Sequence, residues 1–269
     1  MRLGHAPRLI VATLGSLVIL LSACTTAPVE ETRAFDKAVI AIKSAGDLLL
    51  DAVAAAERRT HTAGLKRQKG SYAFSVADAP YFATVGDPRN IAAYRQALEV
   101  VKQYSSLLLS LASGDNIDKA HADLLTIAGA LSAATKATEL IPAAQALGPF
   151  IDQALQAYTV AEARRIALAG IPAVRDLLAA FRNHAGDMFN ALVADKQLSN
   201  APASAIDADR VMVANFVVLL ESLQATLDQL ALVYERSSSP ATLSTLVDAA
   251  TKLSADVEAA RKTYALLRR

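Results

Sequence analysis

A single cysteine and no tryptophan occur among the 269 residues. One cysteine excludes an intrachain disulfide framework and a cysteine-based zinc finger. Glycine and proline are sparse, at 11 and 9 residues, too few for a collagen-like or linker-dominated chain. Neither sign of charge is in surplus, since 27 Lys plus Arg face 26 Asp plus Glu. Neutralising a phosphate backbone needs a positive excess, so nucleic acid is not an expected partner. Aromatic residues make up only 5% of the chain. What fills it instead is alanine, 57 residues, much of the 53% hydrophobic fraction. An Ala- and Leu-rich chain of this kind reads as helical.

Reactive side chains are equally thin. Beyond the first residues the histidines are His61, His121 and His184, each isolated in sequence. There is no His-Glu-x-x-His, no Gly-x-Ser-x-Gly elbow and no glycine-rich phosphate loop. A four-helix di-iron site needs two Glu-x-x-His turns and two more inward glutamates. The nearest pieces are Asp118 with His121 and His184 with Asp187, pairs that arise readily by chance. His121 suits an exposed or capping role. His184 flanks the stripe Val174, Leu178, Phe181, Ala185, Met188 and suits a half-buried position satisfied by a neighbour. No catalytic, cofactor-binding or metal-ligating residue is expected, and an enzyme ranks third among the functional readings.

The N-terminus is a separate unit. Arg2 and Arg8 form a basic flank, and residues 9–21 are a charge-free apolar run, too short for a comfortable membrane span of about 20 residues. The run ends in Leu21-Ser22-Ala23-Cys24, at the chain's sole cysteine. This resembles the lipobox of bacterial lipoproteins. The resemblance covers the first 25 residues and implies cleavage before Cys24, whose thiol and amine are then acylated. Residues 1–23 would be the signal peptide and 24–34 a lipidated N-terminus with a short tether. Thr25 stands where Asp would signal retention at the inner membrane. The resemblance therefore implies the outer membrane, with the protein facing the periplasm. Cleavage removes two of the 27 basic residues, leaving 25 against 26 acidic. The remainder has no charge-free run longer than 12 residues, against the roughly 18 that a spanning helix requires. Lipid alone would hold it, at about 0.8 kcal/mol for each buried acyl CH₂.

Residues 35–269 read as one domain, a single antiparallel helix bundle, compact or elongated, of six or seven helices. Apolar positions recur at steps of three and four, the pattern of helices packed nearly side by side. The first helix, about 31–67, shows Phe35, Val39, Ile42, Gly46, Leu49, Val53. A second is expected at about 88–112. A third, 116–147, is interrupted by Pro142 and stopped by Gly148-Pro149. A fourth spans 149–169 and a fifth 172–198. The sixth, 206–236, shows Phe216, Leu220, Leu223, Leu227, Leu230, and the seventh, 240–268, includes Leu246 and Leu253. Asp87, Asp115 and Ser239 are the expected N-caps, and Gly148 and Gly170 the expected C-terminal stops. Leu223, Leu227 and Leu253 are expected core residues.

One stretch breaks the period. Residues 70–86 are bounded by glycines and alternate Tyr72, Phe74, Val76 before Ala77-Asp78-Ala79-Pro80 and Tyr81-Phe82. Period-two alternation predicts a short extended segment or hairpin. Arg58, Arg59, Lys66, Arg67 and Lys69 precede it. Together with Tyr72, Phe74, Tyr81 and Phe82 they form a candidate contact surface for an envelope protein. The competing expectation is that the aromatics fold back to plug the bundle end beside a solvated basic face. The leading functional reading is a lipid-anchored, non-catalytic scaffold or partner-binding protein of the cell envelope. The alternative is a membrane-active or apolar-ligand-handling protein acting through this segment.

The lipid anchor has a direct test. Cys24→Ser should abolish incorporation of a labelled fatty acid, and unchanged labelling of the variant would refute the anchor.

Overall fold

The computed structural model describes residues 28–67, 74–235 and 239–267. Among them there is no β-strand, and nine α-helices of ten residues or more are joined by short turns. The count exceeds the expected six or seven because the middle of the chain is cut into shorter pieces. α1 (Val29–Arg67) is followed by the one-turn α2 (Ala79–Phe82), then α3 (Arg89–Ser113) and α4 (Ile117–Ala134). α5 (Ile141–Leu155), α6 (Val160–Ala169), α7 (Ile171–Asn183) and α8 (Ala185–Leu198) follow. The chain closes with α9 (Ala203–Glu235) and α10 (Pro240–Leu267).

α1 is the central helix, packed against α3, α8, α9 and α10. Hydrogen bonds fix the directions. Arg95, early in α3, donates to Asp47 of α1, while Ser105 and Ser106 further on donate to Asp36. α3 therefore runs antiparallel to α1. Thr32 and Tyr234 share a 2.9 Å hydrogen bond between the start of α1 and the end of α9, so α9 is antiparallel as well. The Tyr264 hydroxyl, late in α10, donates to the Met212 carbonyl early in α9 at 2.9 Å. α10 is therefore antiparallel to α9 and parallel to α1.

The expected stripes are the buried ones. Phe35, Val39, Ile42, Leu49 and Val53 of α1 are inside, as are Leu223, Leu227 and Leu253. Each such side chain contributes about 1.5–3 kcal/mol when removed from water. Tyr94, Phe181 and Phe216 form a chain of rings with centroids 5.5 and 6.4 Å apart, the second contact edge-on at 85°. Beside them Gly46 lets α3 and α9 approach closely. A Cβ there would lie 2.7 Å from Leu98 Cδ1 and 3.0 Å from Phe216 Cε2. α9 is long and apolar enough to cross a membrane by length and composition, but 44% of its most apolar window is buried in the bundle. Its stripe from Met212 to Val233 is core.

The middle of the chain departs from expectation. Gly148 and Pro149 lie inside α5 instead of ending a helix. Pro149 cannot donate to the Gln145 carbonyl, but both residues are on the exposed face, where water can satisfy that oxygen. The actual breaks fall at 135–140, 156–159 and 184. The second is set by Thr159, which caps α6 by accepting from the Glu162 N–H, while Glu162 accepts from the Tyr158 N–H. This Thr-x-x-Glu arrangement resembles a capping box. Pro142 starts α5 from its first turn. Ser239 caps α10 as expected, but α4 is capped by Asn116, and Asp115 instead pairs with Lys119. Pro88 occupies the cap of α3, with Asp87 turned to Arg95. Gly114 is the left-handed stop, at φ 76°, whereas Gly170 is right-handed.

Two substitutions probe this packing. Leu223→Ala should lower the unfolding free energy by about 2–5 kcal/mol, measured by urea titration. Gly46→Ala should cost about 1–3 kcal/mol by overpacking, although it raises intrinsic helix propensity.

Candidate functional site

The 39 residues of α1 span about 58 Å along the helix axis. The end remote from Val29 gathers the C-termini of α1, α8 and α10 with the N-termini of α3 and α9. Here lie the aromatic segment and, nearby, a charged crevice.

Among the described residues of the segment, 74–86, there is neither a strand nor a hairpin. Residues Val76–Asp78 form one 3₁₀ turn, which α2 continues. Ser75 caps the turn by accepting from the Ala77 N–H at 3.2 Å. Three alternating residues give no sheet to pair with, and an isolated hairpin is marginal in water. The Pro80 position suits the first turn of a helix. Arg58 holds the segment against α1 by donating to the carbonyls of Pro80 and Gly86, and lies 3.8 Å from Asp87. His61 stacks on Tyr81 with centroids 4.0 Å apart and planes 17° apart. Its Nε2 is 3.1 Å from Asp78 Oδ1, a close contact without hydrogen-bond alignment. Burial raises the Tyr81 hydroxyl above its ordinary pKa, with the Glu57 and Asp78 charges adding to it. Behind the segment, Arg95 donates to Asp87 at 2.6 Å, Asp51 at 2.5 Å and Asp47 at 3.2 Å.

With its backbone clasped, the segment still turns apolar side chains outward. Phe74 is 69% exposed, Val76 82%, Phe82 49% and Val85 79%. Tyr81 is half-buried. The exposed pair argues against a simple plug, for which Phe74 and Phe82 would have been inside. Tyr72 lies outside the described residues, as do Lys69 and Cys24.

The expected basic patch divides. Lys66 and Arg67 are exposed, but Arg58 is the clasp. Arg59 faces the other way and makes a two-point bond to Asp195 of α8, at 2.6 and 2.7 Å. This bond pushes the Arg59 guanidinium further up in pKa against the opposing effect of burial. His121 meets the Ala157 carbonyl at 3.2 Å and His184 meets Asp187 at 3.1 Å, so each is tied locally.

Sequence reasoning missed the crevice. It encloses about 530 Å³ between α1, α8, α9 and α10, with Arg59, Asp195, Lys196, Asp209, Met212 and Tyr264 among its lining residues. Asp195 is buried, and Lys196 Nζ lies 3.8 Å from Asp209 Oδ2. Arg59 and Asp195 are 136 positions apart, so no local spacing announces their pairing. Among the described residues, no group of three or more His, Cys, Asp or Glu is arranged to hold a metal ion.

The chain matches no protein-family model, no curated protein and no solved structure.

Removing one member of a buried ion pair leaves the other uncompensated. Arg59 is 60% exposed while Asp195 is only 9%, so water softens the loss. Arg59→Ala should destabilise by roughly 1–2 kcal/mol, against about 0.5 kcal/mol or less for the exposed Arg67→Ala, read from paired urea titrations.

Proposed function

We propose that this chain is a lipid-anchored, non-catalytic helical protein of the outer membrane, facing the periplasm, that docks an envelope protein through the tip around Phe74 and Phe82. The observation that carries the proposal is the cluster Phe74, Val76, Phe82 and Val85, large apolar side chains left in water within twelve residues. Aromatic side chains in such clusters concentrate binding energy, because their burial contributes heavily and their few torsions cost little entropy. Helical structure begins at Val29, closer to Cys24 than the composition suggests. Residues 25–28 would reach at most ~14 Å when extended. A lipid at Cys24 would therefore hold the start of α1 near its membrane, with the segment clasped by Arg58 and His61 about 45 Å further along the α1 axis. An upright bundle would present the tip to a partner well away from its own bilayer.

A second reading is contact with an anionic lipid surface. It is favoured by exposed Lys66, Arg67 and Arg89 beside the apolar side chains, which would add salt-screened attraction. The two readings separate experimentally.

The double variant Phe74→Ser/Phe82→Ser should lose site-specific envelope crosslinks while its unfolding free energy changes by less than about 1 kcal/mol, because both side chains are exposed. Loss of stability in proportion to crosslinks would refute the docking surface. Flotation with anionic vesicles that is abolished by the same variant, with protein crosslinks unchanged, would move the contact to lipid.

A further inference from the structure

We infer that the end of the bundle where α1 begins touches the bilayer through Tyr158, an aromatic foot standing beside the lipid at Cys24. The inference rests on the anchor reading and adds to it a second point of contact, which fixes how the molecule stands.

Tyr158 occupies the turn between α5 and α6 and is 92% exposed, the most exposed large hydrophobic side chain among the described residues. A loose turn does not account for this. The Ala157 carbonyl meets His121 Nε2 at 3.2 Å, and Ala157 itself is buried. The Tyr158 N–H donates to Glu162, and the Glu162 N–H donates to Thr159. Hydrogen bonds thus grip the turn on both sides of Tyr158 while its ring is left in water. A lone exposed apolar residue needs no explanation by itself. Its place in the fold supplies one.

That place follows from the bonds made by α3. Ser105 and Ser106 donate to Asp36, so the C-terminal end of α3 lies level with the start of α1. Tyr104 donates to the Ala167 carbonyl and Arg164 to the Leu111 carbonyl. α6 is therefore antiparallel to α3, and its first residues lie at the same end. Tyr158, two residues before α6, comes within roughly 10 Å of the level of Val29 along the α1 axis. This is the end that residues 25–28 would tether to Cys24, with a reach of at most ~14 Å. α3 packs against both α1 and α6, so anchor and ring stand roughly 20 Å apart across the bundle.

The chemistry selects a lipid surface. Tyrosine joins an apolar ring to a polar hydroxyl, the combination enriched at membrane–water interfaces. Nearby charges are engaged within the chain, Arg33 with Glu30 and Lys119 with Asp115 at 3.0 Å. The ring makes the contact, and zwitterionic lipid suffices. So short a tether leaves little room for a protein between this end and the bilayer. Two points of contact keep the bundle from swinging, with the aromatic tip turned away from the membrane.

The chain has no tryptophan, so a single introduced one reports its own surroundings. Tyr158→Trp and Phe82→Trp would each be carried in the full chain as processed and acylated in cells. Each is reconstituted into phosphatidylcholine vesicles with and without bromine on the acyl chains, and mass spectrometry reads the acyl group at Cys24. Emission from position 158 should shift to the blue and fall at least twofold in brominated vesicles. Emission from position 82 should be unchanged. An acylated, vesicle-bound chain unquenched at 158 would overturn the contact and leave the anchor standing. Quenching at 82 instead would overturn it by laying the tip on the bilayer. Absence of the acyl group would overturn anchor and contact together.

Discussion

Close approach to α1 is the constraint on which the bundle depends. One helix has to be touched by α3, α8, α9 and α10 at once, and bulky residues all round would hold those neighbours apart. Ala38, Ala45, Ala54 and Ala56 are fully buried, interleaved with Ile42, Leu49 and Val53. At Gly46 even a methyl group would collide with Leu98 and Phe216. Short interaxial distances bring backbones and side chains into many weak dispersion contacts, individually small and collectively large. The abundance of alanine and the scarcity of aromatics thus belong to one solution. Large rings are used where a gap must be filled, as by Phe181 and Phe216.

Charge does a different job from the one its distribution along the chain suggests. Lys43, Asp47 and Asp51 of α1 meet Arg95 and Glu99 of α3 in a partly buried network. Glu99 is held below the ordinary carboxylate pKa by its bonds to Lys102 and Gln103 and by the Lys43 charge, against the upward push of burial. Further along α1, Arg59 ties it to α8. Pairs of this kind add little net stability at the surface, but a misaligned helix would leave them unsatisfied. They act on register. Arg58 extends the same logic to the aromatic segment by fixing its backbone and leaving its side chains outside.

The long helices were legible because each carries one apolar stripe over many turns, as in Phe216, Leu220, Leu223, Leu227 and Leu230. Four or more periods average out local exceptions. The stretch from 117 to 198 was harder. Proline and glycine at 148–149 are strong local stop signals, but exposure of Gln145 and Pro149 lets the helix continue. The breaks that do occur lean on Thr159 with Glu162, a cap visible in sequence, and on turns at 135–140 and 184 that tertiary packing selects. The aromatic alternation at 72–76 was too short to decide between a strand and a turn. Phe74 and Phe82 are exposed, while Arg58 and Arg59, read from sequence as part of one patch, are each engaged by partners within the chain. The crevice could not be read at all, since its groups come from four helices distant in sequence.

The meeting of Thr32 with Tyr234 joins residues 202 positions apart, and this sets an order of events during synthesis. At roughly 5–20 residues per second, the partner of the α1 N-terminus emerges on the order of 10–40 s after α1 itself. Throughout that interval α1 can pair with α3, but the stripes destined for α9 and α10 stay open. Loop closure over such a span is a late, slow step, because its entropy is lost before the contact forms. The core around α1 therefore stays unfinished until α9 and α10 have been made.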